Sequence, residues 1–440
     1  MGEASMKGKE IASIYARQVL SDRGNLAVEA TVVTKDGHKG TAVCTAGLSV
    51  GSHEIAFSYD DDARWLGQGV KSAVRCIEDV IAPRLKGMDV TRQHDVDYAM
   101  LELASDPSLL IGGNATAAVS AAALKAGAAV QEIPLYRHIG GEEATVLPLA
   151  SFGCYYGSAR YDKLSRGGGK PTCSFIAYDF ASFSEASEAL GRVYHEWKEA
   201  LWKRIGLRQT GMPESAVCSG FFNIPAGYFS CDMEIWDLAS EIIEGCGYGG
   251  RIGLQIDIAA DSFFDPKTGL YTGLFSPKQL TKEELIDFYQ HMVDDYPFVC
   301  LEDPLNEDDY EGTAIITRKL GIQIVGDDLF TTTKERVEEG VRTGAANCVL
   351  LKVNQVGTIS KALEMIQYAY ENGYGVMPCL SRGENAAIAD YSVGINASTI
   401  REAAFGVAGT RLREIERELG DRAVYLGRKA LKGRRFQEDV

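Results

Sequence analysis

From residue 252 onward the chain repeats one pattern: a short apolar run, most often closed by an acid or a lysine, then a helical stretch. The runs cover residues 252–258, 297–301, 322–325, 347–353 and 375–378, with helical periodicity over 282–294, 332–342 and 359–370. Runs without polar alternation read as strands buried on both faces. Such strands alternating with helices build a parallel sheet covered on its outer side. The charged ends Glu302, Asp327 and Lys352 follow one another at steps of 25 positions. A period that regular, within a second part of roughly 290 residues, predicts a β/α barrel rather than an open sheet.

The N-terminal part is organised differently. Residues 26–33 and 40–45 are short β-branched runs around Lys35-Asp36-Gly37, which predicts a hairpin. Two helical stretches follow, 70–85, broken near Pro83, and the alanine-rich 114–130, whose small side chains predict close packing. Gly140-Gly141 then punctuates the chain. At 440 residues the chain exceeds what one core serves. Two domains are expected, 1–143 and 144–440. Gly167-Gly168-Gly169 lacks the context of a phosphate loop and is read as a mobile loop.

The chemistry lies at the strand ends. Asp257, Glu302 and Asp327 each close or follow a buried run, and in a β/α barrel those ends converge. Three converging carboxylates repel one another, and a hard divalent ion with oxygen ligands, Mg²⁺ or Mn²⁺, relieves the conflict. For a single acid the alternative is a helix cap or an ion pair; three at successive strand ends favour the metal. Lys352 follows Cys348-Val349-Leu350-Leu351. Beside a cation and partly desolvated, a lysine shifts toward its neutral form and serves as a base. A structural lysine neutralising one of the acids fits its residue type equally well.

Charge narrows the partners. A net charge of −16 disfavours nucleic acid and anionic membranes, and no apolar run approaches the ~20 residues of a membrane helix. Ten cysteines without a Cys-x-x-Cys pair, and a polar start with no apolar leader, lead us to expect a cytoplasmic protein.

Longer motifs carry a resemblance. Gly24-Asn25 with Val28-Glu29, Gly47-Leu48-Ser49-Val50-Gly51, Pro134-Leu135-Tyr136-Arg137-His138-Ile139 and Val193-Tyr194-His195 appear in order. Leu301-Glu302-Asp303-Pro304, the segment from Gln323 through Gly326-Asp327-Asp328-Leu329, and Leu350-Leu351-Lys352-Val353-Asn354-Gln355-Val356-Gly357-Thr358 are the most specific. Over nearly its whole length the chain resembles the enolase family. The resemblance implies an N-terminal α+β cap domain on a modified C-terminal (β/α)8 barrel, with the site between them. It implies Asp257, Glu302 and Asp327 as metal ligands, Lys352 as the proton-abstracting base, and Ser49 on a lid that closes over a second metal. A Lys or His base with one or two Mg²⁺ ions is that superfamily's known chemistry. A homodimer or larger assembly of dimers is implied as well.

Several positions depart from the family pattern. The acid of its Gly-Asp-Glu-Gly-Gly motif aligns with Ser219, its second catalytic glutamate with Ser174, and its loop histidine with Arg160. Its Ser-His-Arg-Ser becomes Cys379-Leu380-Ser381-Arg382, and its late lysine aligns with Arg401. Arg160, Ser381, Arg382 and Arg401 are therefore expected to bind the anionic substrate, since arginine forks suit carboxylate and phosphate; for Arg160 and Arg382 a solvated surface arginine is the alternative. Loss of the acids points to a lyase that forms an enolate from a small phosphorylated or phosphonate-like acid, with ordinary dehydration weakened. A carboxyphosphonoenolpyruvate synthase-like enzyme is the alternative within the family. A non-catalytic metal-binding relative acting as an interaction protein is the alternative outside it.

Overall fold

The computed structural model describes residues 8–21, 24–47, 50–61, 63–157, 170–206, 217–218, 221–224 and 227–436. Ser49, Arg160, Ser219 and the triplet Gly167-Gly168-Gly169 lie outside the described residues.

The hairpin forms as expected. Strands β1 (Ile11–Leu20), β2 (Leu26–Thr34) and β3 (Lys39–Cys44) make an antiparallel sheet in that order. Val33 pairs with Lys39, and the turn between them places Gly37 at φ 93°, where glycine carries no Cβ penalty. Val28, Ala30 and Val32 share one face of β2 and are buried in a core with the alanine-rich helix α2 (Gly113–Val130), which is preceded by α1 (Gln93–Ala104). Helix and sheet come close at Gly40. A Cβ there would collide with the Ala122 carbonyl oxygen and the Ala126 nitrogen. The expected break at Pro83 is not a break. The helical segment runs on to Leu85, with a π-helical turn over Ile77–Ile81 just before the proline. Proline offers no N–H and crowds the carbonyl four residues back, and a widened turn accommodates both.

The barrel begins with an inversion that periodicity did not foretell. Strand β4 (Leu149–Tyr156) pairs antiparallel with β5 (Thr172–Ala177), and β5 pairs antiparallel with β6 (Ile252–Asp257). Among the described residues, two helices, α3 (Phe183–Ile205) and α4 (Asp232–Gly245), come between β5 and β6. From there strand and helix alternate: α5 (Lys282–Asp295), β7 (Phe298–Glu302), α6 (Tyr310–Leu320), β8 (Gln323–Gly326), α7 (Lys334–Thr343), β9 (Cys348–Leu351), α8 (Ile359–Glu371), β10 (Gly375–Pro378), α9 (Ala387–Gly394) and β11 (Thr399–Ile400). Strands β6 to β10 are parallel neighbours in sequence order. β11 closes the ring by pairing with β4, and a bridge between Cys379 and Arg401 joins it to β10. The architecture is a cap of mixed α and β on a modified (β/α)8 barrel.

Start signals match the helices they open. Thr281 and Glu284 form a reciprocal capping box at α5, and Asp309 and Thr358 accept backbone N–H groups at α6 and α8. Cap and barrel keep separate buried clusters and meet at the C-terminal strand ends, where Asn354 donates to the Thr45 carbonyl (2.7 Å) and Ile55 N–H to that of Gln355 (2.9 Å). Among the described residues no helix is long and apolar enough to cross a membrane.

Candidate active site

Register brings the expected residues to one mouth. Glu302, the last residue of β7, stands level with Asp257, the last of β6. Glu302 is also level with Val325 on β8, so Asp327 stands two residues beyond it, and Lys352 directly follows β9. All four are buried, Glu302 completely. β5 runs the other way, so its first residue, Thr172, is the one level with Asp257.

Each acid faces a cation. Arg401 reaches Glu302 Oε1 through Nη1 and Asp257 Oδ2 through Nη2, both at 2.7 Å, and Nη2 also donates to Thr172 Oγ1 at 2.9 Å. Lys170, two residues before β5, pairs with the same Asp257 oxygen. Lys352 Nζ lies 2.5 Å from Asp327 Oδ2, while Gln355 Nε2 donates to Asp327 Oδ1 at 2.8 Å. Asp303 shapes the turn itself: its two oxygens accept the N–H groups of Asp327 (3.0 Å) and Asp328 (2.8 Å).

The charges do not cancel evenly. Burial pushes the Glu302 carboxyl up to about 8; Asp257 and Asp327 add to that, and Arg401 opposes it. Burial and the neighbouring Asp327 likewise push Asp328 up to about 7. For Asp257, burial is outweighed by Arg401 and Lys170, which hold its carboxyl below the usual range; for Asp327 the same is done by Lys352. Lys352, with Asp327 as its partner, is held as the ammonium. Burial is the largest influence and favours the free amine, yet Asp327, joined by Cys379 and Glu302, holds the ammonium above the ordinary lysine range against burial and Arg382.

The donor set suits a hard cation. Carboxylate oxygens of Glu302, Asp303 and Asp327 lie within 4.8 Å of one another. Asp303 stands there in place of the expected Asp257, yet both its oxygens are committed to backbone amides. Asp257 Oδ1, Glu302 Oε2 and Asp328 Oδ1 are buried without a hydrogen-bond partner. Buried orphaned anions are costly, and an all-oxygen set of this kind fits Mg²⁺.

The other expected residues divide. Arg401 sits at the centre. Arg382 is buried on the loop after β10 with both terminal nitrogens on Glu54, at 2.8 and 2.6 Å, so it is not the solvated surface arginine weighed as an alternative. Ser381 Oγ lies 3.3 Å from Cys379 Sγ on that loop. Ser174 is level with Gln255 and shares a face of β5 with Thr172. Sequence reasoning missed Glu54, Lys170, Gln355 and Asp303. Gln355 and Asp303 lay inside quoted motifs and Lys170 beside the glycine triplet; Glu54, three residues past Gly51, had no signal of its own.

Two family models match the chain. One for the N-terminal domain of enolase covers residues 11–139, and one for the enolase C-terminal TIM barrel domain covers residues 175–434. The chain belongs to the enolase family. It is similar to the enolase of Methanocaldococcus jannaschii, at 38% identity over 93% of this chain and 96% of the relative. The enolase of Methanopyrus kandleri is 37% identical over 94% and 97%, and that of Bifidobacterium animalis subsp. lactis 37% over 96% and 98%. An enolase-like lyase on the enolase cap and barrel is therefore what this chain is, with acidic groups at the mouth able to bind a metal.

Proposed function

We propose that this enolase-like lyase is Mg²⁺-dependent and removes the proton α to the carboxylate of a small phosphorylated or phosphonate-like acid, with Lys352 as the base. One arrangement supports this most: an amine at a strand end, 2.5 Å from Asp327, beside buried carboxylates with orphaned oxygens. Asp257, Glu302 and Asp327 would hold the ion, which when bound supplies the positive charge that favours a second negative charge on the substrate carboxylate. Asp327, once it takes up a cation, would hold the Lys352 ammonium less strongly and favour loss of its proton to solvent, and Nζ as the free amine then accepts the α-proton. Arg401, with its fork between Asp257 and Glu302, orients the substrate anion. Burial of the whole group excludes water.

The later half of the reaction is where this chain differs from the family pattern. Ser174 supplies no acid to a departing hydroxide, and a positioned general acid contributes about 10²–10⁴-fold. On 2-phosphoglycerate, α-proton exchange is therefore expected to outrun dehydration. A carboxyphosphonoenolpyruvate synthase-like substrate is the second reading, favoured by Lys170 and Arg401 together on Asp257, which bring two cations to the mouth. By likeness to the family a homodimer or larger assembly is expected, to be read by light scattering.

The test is to give purified protein and Mg²⁺ 2-phosphoglycerate in deuterated water, following α-deuterium and enolpyruvate absorbance together. Exchange well ahead of dehydration is the expected result. Dehydration as fast as exchange would overturn the role given to the missing acids. Absence of exchange across a panel of 2-substituted carboxylates, unaltered by Lys352→Ala, would favour a non-catalytic metal-binding relative.

A further inference from the structure

The loop after β3 belongs to the cap, yet one of its side chains ends inside the barrel mouth. Glu54 and Arg382 form a two-pronged ion pair whose side chains are 2% and 1% exposed. Glu54 Oε1 also accepts Gln355 Nε2 and the Gly51 N–H, each at 3.2 Å. Gln355 Nε2 is the group that donates to Asp327 Oδ1, and Asp327 Oδ2 is the oxygen against the Lys352 amine. On its other side Gln355 Oε1 accepts the Thr332 hydroxyl at 2.7 Å, and that hydroxyl oxygen accepts the Lys352 backbone N–H at 3.0 Å. Backbone bonds tie the loop down at both ends, Thr45 N–H to the Arg382 carbonyl (3.2 Å) and Ile55 N–H to that of Gln355 (2.9 Å). Further out, Ser52 pairs with Glu307 and His53 with Asp308.

We infer that Glu54 and Arg382 are positioning residues, which couple seating of the cap loop to the placement of Asp327 and the Lys352 amine. Arg382 aims both terminal nitrogens at Glu54, so its fork serves the loop. A carboxylate held on two prongs has one orientation, and that orientation sets Gln355 Nε2 between Glu54 and Asp327. When the loop lifts, Gln355 loses one of its two acceptors and Asp327 loses its fixed donor. The lysine opposite then has no single partner geometry. Sequence reasoning grouped Arg382 with the substrate ligands; the geometry gives it this other task. The catalytic part of the inference rests on the reading of Lys352 as the base.

The test compares wild type with Glu54→Gln, Arg382→Met, Arg382→Lys and the double variant Glu54→Gln/Arg382→Met. The double variant removes both charges, so it guards against misfolding from one buried charge left alone. Amide hydrogen exchange is read at residues 51–55 and 352–355, and kcat and KM are measured for α-proton exchange. Loss of protection in both segments is expected, with kcat down about 10–100-fold and KM within about threefold of wild type. The double variant should be no worse than the poorer single one, as for residues acting through one contact, and Arg382→Lys should recover part of kcat. Three results would overturn the inference: additive effects, a raised KM in Arg382→Met alone, or loss of protection at 51–55 with 352–355 unmoved. Wild type that exchanges no α-proton defeats the reading of Lys352 instead, and protection at 352–355 still decides whether loop and mouth are coupled.

Discussion

At the scale of single residues, the site is a contest among charges for the same few oxygens. Asp257 is shared by Lys170 and Arg401, and at an effective dielectric of ~20 a charge ~4 Å away acts with up to about 4 kcal/mol. Lys170 thus opposes any cation that Asp257 is to hold. Lys170→Met is expected to tighten Mn²⁺ binding about tenfold, measured by electron paramagnetic resonance of the free ion. Weaker binding would instead mean that Lys170 orients Asp257 as a ligand. The quartet Asp257, Glu302, Asp327 and Lys352 was legible because a charge closing an apolar run stands out along the chain. Lys170 and Glu54 were not, because they lie in polar stretches where a charge is unremarked until folding buries it.

At the scale of elements, pattern told strand from helix but not direction. All six residues of β5 are buried, as in its parallel neighbours, so nothing in its composition marks it as running the opposite way. The alanine-rich helix was readable from propensity and small side chains, and its contact with the sheet can be tested at Gly40. Gly40→Ala sets a methyl against helix backbone, which has no rotamer by which to yield. The expected cost is about 1–3 kcal/mol in urea unfolding, with barrel helicity unchanged. Little change in the midpoint would mean that helix α2 shifts at no cost. The π-helical turn before Pro83 was hidden because sequence marks the missing donor and not how the helix absorbs it.

At the scale of the molecule, buried polar contacts join cap to barrel. Asp97 on α1 accepts both the N–H (2.9 Å) and the hydroxyl (2.7 Å) of Ser360 on α8. Burial pushes its carboxyl above the usual range, against hydrogen bonds from Ser120, Ser360 and Gln93. A raised carboxyl gives stability that is fully present below its unfolded value near 4 and lost as pH rises through the folded one. The Tm of wild type relative to Asp97→Asn should therefore improve as pH falls from 7 toward 4, read by calorimetry. A constant difference would mean that Asp97 titrates alike in both states.

The sequence by itself determined the barrel, its period and the four residues at its mouth, because burial of strands and the charges that end them are written locally. The tertiary structure alone decided which cation faces which acid, that β5 runs backward, and that Arg382 serves a loop of the other domain. Those depend on side chains brought together from positions as far apart as 54 and 382. Along the chain they share neither period nor neighbour; only the closed fold gives them a common, water-poor place in which their charges must be paired.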